Sequence, residues 1–399
     1  MRFAVLGAGA IGGYVGACLA RAGLDVTLIA RGAHLAAIRS HGIRVLSPDG
    51  DFHAGPGATD DIAAVSGADV VFLGLKAYSL PPVAAELHRA LRPGTVVIAA
   101  QNGIPWWYFQ GRPGPYRDLV IESVDPGGVV TRAIDPASVV GCVVYPATEI
   151  AEPGVIRHVE GHRFSLGEPD ESRSERCGEI SRAFRAGGLR APIATDLRSQ
   201  IWLKVIGNAA LNPVTALLGA TLGQLGESPA AIRLVRAVMT ECASVASALG
   251  VVLPVSIDQR LAGAIAVGDH RTSMLQDRLA GKPLEIDCLT GAVAEIAGRA
   301  GVDVPQTRAV HDLVTALGDL GGPPAVVIRR VVTDPEEAAR AGLHGSPTVL
   351  VDGSDPFAAP GQPASMSCRL YDNGPGLLEG APSVGRLRQA IGRVGPADG

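Results

Sequence analysis

The sequence predicts an α/β fold in which an N-terminal α/β domain is followed by an all-helical domain and a small α/β tail module. Up to about residue 172, short Val- and Ile-rich runs alternate with helical or turn-like stretches, as in a parallel sheet buried on both faces: RFAVLG, LDVTLIA, ADVVFLGL and TVVIAA. From 173 to 320, long Ala- and Leu-rich segments follow the helical period. The stretch GDLGGPP then breaks this pattern, and we assign residues 321–399 to the tail.

Composition and charge indicate a small-molecule partner. The 399 residues carry a formal net charge of -4, with a pI near 6.1, so the basic field typical of nucleic-acid binding is missing. No signal peptide or bilayer-spanning apolar run is visible, and six scattered cysteines without a CxxC pair favour reduced thiols. We therefore expect a cytoplasmic protein without nucleic-acid or membrane partners, and either a monomer or a homodimer.

A glycine-rich motif follows the first predicted strand. In GAGAIG, Gly7, Gly9 and Gly12 have the spacing G-x-G-x-x-G, with Ala10 and Ile11 between them, and the motif opens a helix. In this context the glycines allow a tight turn and close approach of a pyrophosphate to the helix N-terminus. The motif predicts a Rossmann-type dinucleotide-binding domain; the alternative is a glycine-rich turn without a ligand.

Polar residues at the ends of later strands indicate which dinucleotide binds. A site that prefers NAD would have a carboxylate after LDVTLIA, but the chain has Arg31, which can bind a 2'-phosphate. Lys76 follows VVFLGL, and together these cations predict NADP(H), unless both are solvated surface side chains. Asn102, after TVVIAA, could contact nicotinamide ribose or substrate, or only form an Asn-Gly turn.

An apolar helix carries an unexpected polar stripe. In IWLKVIGNAALNP, Lys204, Asn208 and Asn212 recur at steps of four, so they share one face of a helix that is otherwise apolar and buried. Buried polar groups require partners, which a protein segment or a ligand could supply.

Two further segments carry candidate polar residues. RTSMLQD places Ser273 one helical turn before Asp277. Glu285 stands at the head of a buried helical stripe, where it could cap its helix or face a ligand.

These motifs together resemble the ketopantoate reductase family (2-dehydropantoate 2-reductase) over residues 1 to about 318: GAGAIGG, the KAY after LGL, QNGIPWW, WLKVIGNAALNPVTAL and SMLQD followed by LEID. The resemblance implies a Rossmann domain, a helical domain and NADPH-dependent reduction of a 2-oxo acid between them. It implies Lys204 as general acid, with Glu285 orienting the reacting hydroxyl. Asn208, Asn212 and Ser273 would contact substrate, and Asn102 nicotinamide or substrate.

The sequence also departs from this family. Two asparagines that relatives use for ketopantoate are missing from GATLGQL and GDHRTSM, where His270 or Thr272 could substitute. Another 2-oxo acid or a bulkier ketone is one alternative substrate. An NADP(H)-binding sensor or scaffold without turnover is the alternative from another class, although it would need neither Lys204 nor Glu285.

The tail is not part of the usual family architecture. We predict strands in AVVIRRVV, SPTVLVDG and MSCRLYDN, and helices in DPEEAARAG and SVGRLRQAIGRV. SPTVLVDG resembles the thioredoxin-like segment in which a cis proline, here Pro347, precedes a central strand. Cys368 alone is no redox pair, so we expect a partial, redox-inactive thioredoxin-like module; a disordered or loosely docked extension is the alternative.

Overall fold

The structure is a computed structural model that describes most of the chain. The described residues are 1–320, 332–351, 353–359, 361–373, 378–383, 386, 387 and 390. Contacts divide the chain into two compact units, Met1–Pro324 and Ala325–Gly399. The boundary that we expect at 172 between two domains of the first unit stays a prediction, as does the boundary at 320.

The first part of the first unit alternates between strands and helices. Its strands are β1 (Arg2–Leu6), β2 (Asp25–Ile29), β3 (Ile43–Leu46), β4 (Phe52–Ala54), β5 (Gly57–Thr59), β6 (Val70–Leu73), β7 (Val96–Ala99), β8 (Val139–Val144), β9 (Ala147–Glu152), β10 (Val155–Glu160) and β11 (Phe164–Gly167). Its helices are α1 (Ala10–Arg21), α2 (Gly32–His41), α3 (Ala84–Ala90) and α4 (Val129–Ala133). The four predicted strands are confirmed as β1, β2, β6 and β7.

Seven of these strands form one sheet in the order β11-β8-β7-β6-β1-β2-β5. All neighbours are parallel except β11, which runs antiparallel to β8. The strand order reverses at β1, which lies between β2 and β6. A crevice for a ligand opens at the carboxyl ends of parallel strands at such a reversal. A smaller sheet, in the order β4-β3-β10-β9, completes the α/β part.

The unbroken apolar sequence of β1 is explained by the burial of both of its faces. Ala4 and Leu6 belong to one buried cluster, whereas Phe3 and Val5 belong to a second one. Because successive side chains of a strand point to opposite faces, both faces of the sheet are covered. The prediction of a parallel sheet buried on two sides is confirmed.

The remainder of the first unit is helical. Its α-helices are α5 (Glu175–Ala186), α6 (Leu197–Leu218), α7 (Leu222–Gly226), α8 (Pro229–Ala248), α9 (Ile257–Ile265), α10 (Ser273–Leu279), α11 (Ala292–Ala300) and α12 (Pro305–Leu320). A π-helical turn, Asp287–Gly291, precedes α11. The predicted fold class, a Rossmann-like domain followed by a helical domain, is confirmed.

Helix α6 is the central helix of this region. Asp196 caps its start by accepting a hydrogen bond from Ser199 N, and Gly219, in the left-handed conformation, ends it. Trp202 is fully buried. Among the described helices only α6 has the length and hydropathy of a membrane span, but 72% of its most apolar window is buried inside the protein. It is therefore a core helix, because its apolar surface is covered by its own chain.

The second unit contains α13 (Pro335–Arg340), β12 (His344–Ser346), β13 (Ser365–Cys368), β14 (Tyr371–Asp372) and β15 (Leu378–Glu379). Helix α13 confirms the helix predicted in DPEEAARAG. The predicted strand MSCRLYDN is divided between β13 and β14, which belong to different sheets. The predicted strand AVVIRRVV and final helix SVGRLRQAIGRV lie largely outside the described residues.

The strand that we predicted in SPTVLVDG is wrong. Strand β12 ends at Ser346, the first residue of this segment, and does not continue into it; the Ser346–Pro347 peptide bond is cis, as expected. Side chains accept the hydrogen bonds of two backbone N–H groups in this region: Val349 N donates to the Tyr371 hydroxyl, and His344 N donates to the Thr348 hydroxyl. No neighbouring strand is needed to bond these groups. The thioredoxin-like character of the tail stays a prediction.

Candidate active site

The turn between β1 and α1 leaves no space for side chains. Gly7 has φ +92°, and a Cβ on Gly12 would lie 2.1 Å from the Gly7 carbonyl oxygen. A Cβ on Gly74, after β6, would lie 2.5 Å from the same oxygen. Gly9 caps α1 without a side chain, so the amides at the start of the helix remain available to an anion. These residues fit the pyrophosphate of a dinucleotide.

The other predicted residues of this motif, Ala10 and Ile11, form the first turn of α1. Arg31 follows β2 and precedes α2, and its side chain is exposed. Its guanidinium has no hydrogen-bond or ion-pair partner among the described residues, so it is free to bind an anion. Ala30 occupies the position at which a carboxylate would favour NAD.

Lys76 is not the free surface cation that one reading of the sequence allowed. Its Nζ donates to Asp277 Oδ2 at 2.7 Å and to Glu285 Oε2 at 2.9 Å. Burial alone would lower the pKa of Lys76, but the charges of Glu285 and Asp277 outweigh it and raise that pKa. The lysine is therefore held as an ammonium between two carboxylates, and its contact with a cofactor phosphate stays a prediction.

Glu285 faces the sheet and does not cap a helix. Its carboxylate is 6% exposed, and besides Lys76 it accepts a hydrogen bond from Ala77 N at 3.3 Å. The π-helical turn begins two residues later, and the carboxylate bonds none of its amides. Of the two readings left open by the sequence, helix capping is therefore wrong. The cluster of Lys76, Asp277 and Glu285 joins the end of β6 to the helical region.

Lys204 lies in a different part of the site. From α6 its Nζ donates to the carbonyl oxygen of Val144, the last residue of β8. Burial is the main cause that lowers the pKa of Lys204 to about 8; Cys142 and Glu285 oppose this shift, and Arg260 adds a smaller effect in the same direction as burial. No direct bond joins Lys204 to Glu285 among the described residues, so the two groups interact only through space.

A pocket brings Asn102 together with Lys204. It lies at the carboxyl ends of β7 and β8 and is lined by Ala99, Gln101, Asn102, Gly103, Pro105, Trp107, Cys142, Val143, Val144, Ile201, Lys204 and Val205. Gly103 has φ +83°, and Ile104 N donates to Cys288 O at 2.9 Å. This bond fixes the loop of Asn102 against the turn that follows Glu285. The Asn-Gly turn therefore exists, and its asparagine also faces the pocket.

The other predicted substrate contacts extend along α6. Asn208 is partly buried and has no side-chain partner among the described residues, whereas Asn212 Nδ2 donates to Ser273 Oγ at 3.5 Å. Thr272 caps α10 by accepting from Leu275 N. It also bonds the Thr215 hydroxyl at 2.7 Å, so it is not free to replace an asparagine.

Sequence reasoning places Asp277 one helical turn after Ser273 but assigns it no role, and it misses two other residues of this region, Gln101 and Arg260. Gln101 donates to Leu73 O at 3.0 Å, and its buried Oε1 has no partner within the described part of the chain. Arg260 gave no signal, since arginine is common on exposed helix faces.

The fold and the glycine turn define a nicotinamide-dependent oxidoreductase, with a pocket where its α/β and helical parts meet. The chain belongs to the ketopantoate reductase family. Two family models match it: "Ketopantoate reductase PanE/ApbA" over residues 3–171, and "Ketopantoate reductase PanE/ApbA C terminal" over residues 196–318.

Individual proteins agree with this membership. A 2-dehydropantoate 2-reductase of Mesorhizobium japonicum is 45% identical over 319 residues, which cover 79% of this chain and 98% of that protein. A ketopantoate reductase structure from Ralstonia eutropha JMP134 has a TM-score of 0.70 at 30% identity, over 80% of this chain and 99% of the other.

A D-mandelate dehydrogenase structure with NADH and anilino(oxo)acetate has a TM-score of 0.69 at 21% identity, over 80% and 99% of the two chains. At this identity the likeness shows the shared fold alone. The family to which the chain belongs is one of NAD(P)-dependent reductases.

Proposed function

We propose that this protein reduces a 2-oxo acid to a 2-hydroxy acid with NADPH, and that its substrate is ketopantoate, which becomes pantoate. The observation that carries the proposal is the placement of Lys204. Its ammonium lines the same pocket as Asn102, at the carboxyl ends of the sheet strands. Nicotinamide and substrate meet at that edge in open α/β sheets.

The reaction adds one hydride and one proton to the ketone. When bound, the dihydronicotinamide supplies the hydride to the carbonyl carbon. Negative charge then develops on the carbonyl oxygen, and Lys204 Nζ stabilises this charge and transfers its proton there. The product is a hydroxyl group and a neutral lysine, which recovers its proton from solvent. A pKa of about 8 keeps Lys204 mostly protonated at neutral pH and makes it a stronger acid than an ordinary lysine.

Glu285 would act on the same oxygen from the opposite side of the site. Its carboxylate accepts from Lys76 Nζ and Ala77 N, which fixes its orientation. In the proposed complex one carboxylate oxygen accepts the hydrogen bond of the newly formed hydroxyl. Its negative charge also favours the protonated form of Lys204. Asn208, Asn212 and Ser273 would bond the other polar groups of the substrate.

The preference for NADPH rests on Arg31. A guanidinium without a partner, at the end of the strand that follows α1, can bind the 2'-phosphate bidentately. The absence of a carboxylate after β2 removes the group that would bind the ribose hydroxyls of NAD. In this proposal Lys76, which follows β6 on the other side of β1, contributes positive charge while it holds Glu285.

Ketopantoate is the first substrate to test because the family and the Mesorhizobium japonicum relative are named for the reduction of this compound. A second candidate is a reductase of another 2-oxo acid or a bulkier ketone. It is favoured by the two missing asparagines and by Thr272, whose hydroxyl is already bonded within the protein. Both candidates use the same proton donor and differ only in the substrate pocket.

The test is oxidation of NADPH, followed by absorbance, with ketopantoate and a panel of other 2-oxo acids. The proposal expects turnover of ketopantoate at the highest kcat/KM, and a lower kcat/KM with NADH than with NADPH. Preference for another ketone would keep the mechanism and replace the substrate. Binding of NADPH without turnover of any ketone would reject the proposal in favour of a sensor or scaffold.

A further inference from the structure

Three cations lie near Tyr145, which directly follows β8, and none of them has a carboxylate partner among the described residues. Each bonds neutral acceptors: Lys204 bonds Val144 O, Arg260 bonds Leu203 O at 3.4 Å, and Arg163 bonds Ser165 Oγ at 2.9 Å and Gln200 Oε1 at 3.1 Å. Burial raises the pKa of the Tyr145 phenol, and the positive charges of Arg163 and Arg260 oppose this rise. A group of cations that lack directly bonded carboxylates attracts an anion.

Arg260 is the cation best placed to reach a ligand beside Lys204. It extends from α9 and crosses α6 at Gly207, where a Cβ would lie 2.4 Å from Arg260 Nη2. Gly207 lies three residues after Lys204 and directly before Asn208, so the guanidinium borders the polar stripe of α6. Arg260 is partly buried, and burial lowers its pKa. A half-desolvated guanidinium without a counter-charge gains strongly from a bound carboxylate.

The position along the sheet distinguishes between two sources of such an anion. The phosphates of a dinucleotide would bind at the glycine turn after β1 and at Arg31 after β2. Strand β8 is separated from β1 by β7 and β6. Three strand spacings correspond to about 14 Å, so Tyr145 and its cations lie far from the phosphate positions. In a 2-oxo acid, however, the carboxylate is attached to the ketone carbon, directly beside the oxygen that Lys204 would protonate.

We propose that Arg260 binds the carboxylate of the 2-oxo acid and makes the site selective for anionic substrates. This inference rests on the proposed function, because it takes the pocket of Lys204 as the substrate site. Arg260 would hold the carboxylate from the α9 side while Lys204 bonds the ketone oxygen. The two contacts would orient the ketone carbon, and an uncharged ketone would lose the first of them.

The experiment compares Arg260→Gln and Arg260→Lys with the unaltered protein. Titration calorimetry with the NADP+-bound protein measures affinity without turnover. The two probes are ketopantoate and its neutral lactone, which keeps the ketone and lacks the carboxylate. The exposed Arg233 on α8 has no polar partner among the described residues, so Arg233→Gln is a control with the same loss of charge.

Arg260→Gln should weaken binding of ketopantoate by about 10- to 100-fold, the range for a lost charged hydrogen bond. Its affinity for the lactone and for NADPH should be unchanged, Arg260→Lys should recover part of the loss, and Arg233→Gln should bind like the unaltered protein. Equal losses for acid and lactone would indicate a structural role for Arg260 and overturn the inference.

Turnover separates this inference from the proposed function. Ketopantoate reduction together with unchanged acid binding by Arg260→Gln would overturn the inference and leave the function intact. Selective loss of acid binding in a protein without turnover would support the anion site and reject the reductase. If the unaltered protein bound no 2-oxo acid, both proposals would fail.

Discussion

The rate of ketone reduction should fall as the pH rises through 8, because Lys204 must be protonated to donate. Burial sets the pKa of this lysine at about 8. With this value about 91% of the lysine is protonated at pH 7 and about 9% at pH 9, so kcat/KM should fall about tenfold over this range. An ordinary lysine, with a pKa near 10.4, would stay roughly 95% protonated at pH 9 and leave the profile almost flat.

Variants connect this pH dependence to one residue. Lys204→Ala should reduce kcat by about two to four powers of ten, the range for a positioned acid, and should abolish the decline between pH 7 and 9. Lys204→Arg should also lack the decline, since a guanidinium stays charged but donates poorly.

The chain offers a matched control for these variants. It contains three lysines, and Lys282 is exposed and lies outside the cluster of Lys76, Asp277 and Glu285. Lys282→Ala should keep the profile of the unaltered protein. Initial rates of NADPH oxidation at constant ionic strength give the profile for each variant. A flat profile between pH 7 and 9 for the unaltered protein would refute the assignment of a lowered pKa to the proton donor.

Three other perturbations test separate parts of the site. Glu285→Gln should reduce kcat by at least tenfold and leave NADPH affinity unchanged, because the amide cannot balance the charge of Lys76; an unchanged kcat would remove Glu285 from the reaction. Arg31→Ala should weaken NADPH binding far more than NADH binding, measured by fluorescence titration, and equal losses would contradict the 2'-phosphate contact. Gly12→Ala should prevent tight binding of either cofactor, since its Cβ would lie 2.1 Å from Gly7 O; normal affinity would show that the turn can relax.

The sequence predicts the features of this site that depend on local periodicity. The glycine turn is recognisable because strand, motif and helix follow one another within 21 residues. The polar stripe of α6 is recognisable because its members recur every four residues in an apolar helix. Each of these patterns lies within one element and its immediate neighbours, so a single sequence suffices to find it.

Contacts between distant segments could not be predicted in this way. The ion pair of Lys76 with Glu285 joins residues 209 positions apart. Arg260 reaches α6 from another helix, and no spacing rule relates it to Lys204. The prediction of a strand in SPTVLVDG was wrong for a similar reason. The backbone N–H of Val349 donates its hydrogen bond to the hydroxyl of Tyr371, 22 residues further along the chain, and not to a neighbouring strand.

Lysine at two positions of the site is itself informative. Arginine provides nearly all basic side chains of this chain, yet Lys76 and Lys204 are lysines. Arginine stays charged at any accessible pH, whereas lysine can release a proton when burial lowers its pKa. Lys204 meets this requirement of a proton donor. Lys76 does not, since its two carboxylate partners raise its pKa and suit it to hold Glu285 in place.

A single-turnover measurement on protein already loaded with NADPH tests directly whether Lys204 supplies the proton. The loaded protein is mixed rapidly with excess ketopantoate, and the loss of NADPH absorbance is followed for the unaltered protein and for Lys204→Ala. We expect rapid oxidation by the unaltered protein and a rate about two to four powers of ten lower for the variant, with NADPH bound equally well to both. Equal rates for the two proteins would contradict the central claim that Lys204 supplies the proton.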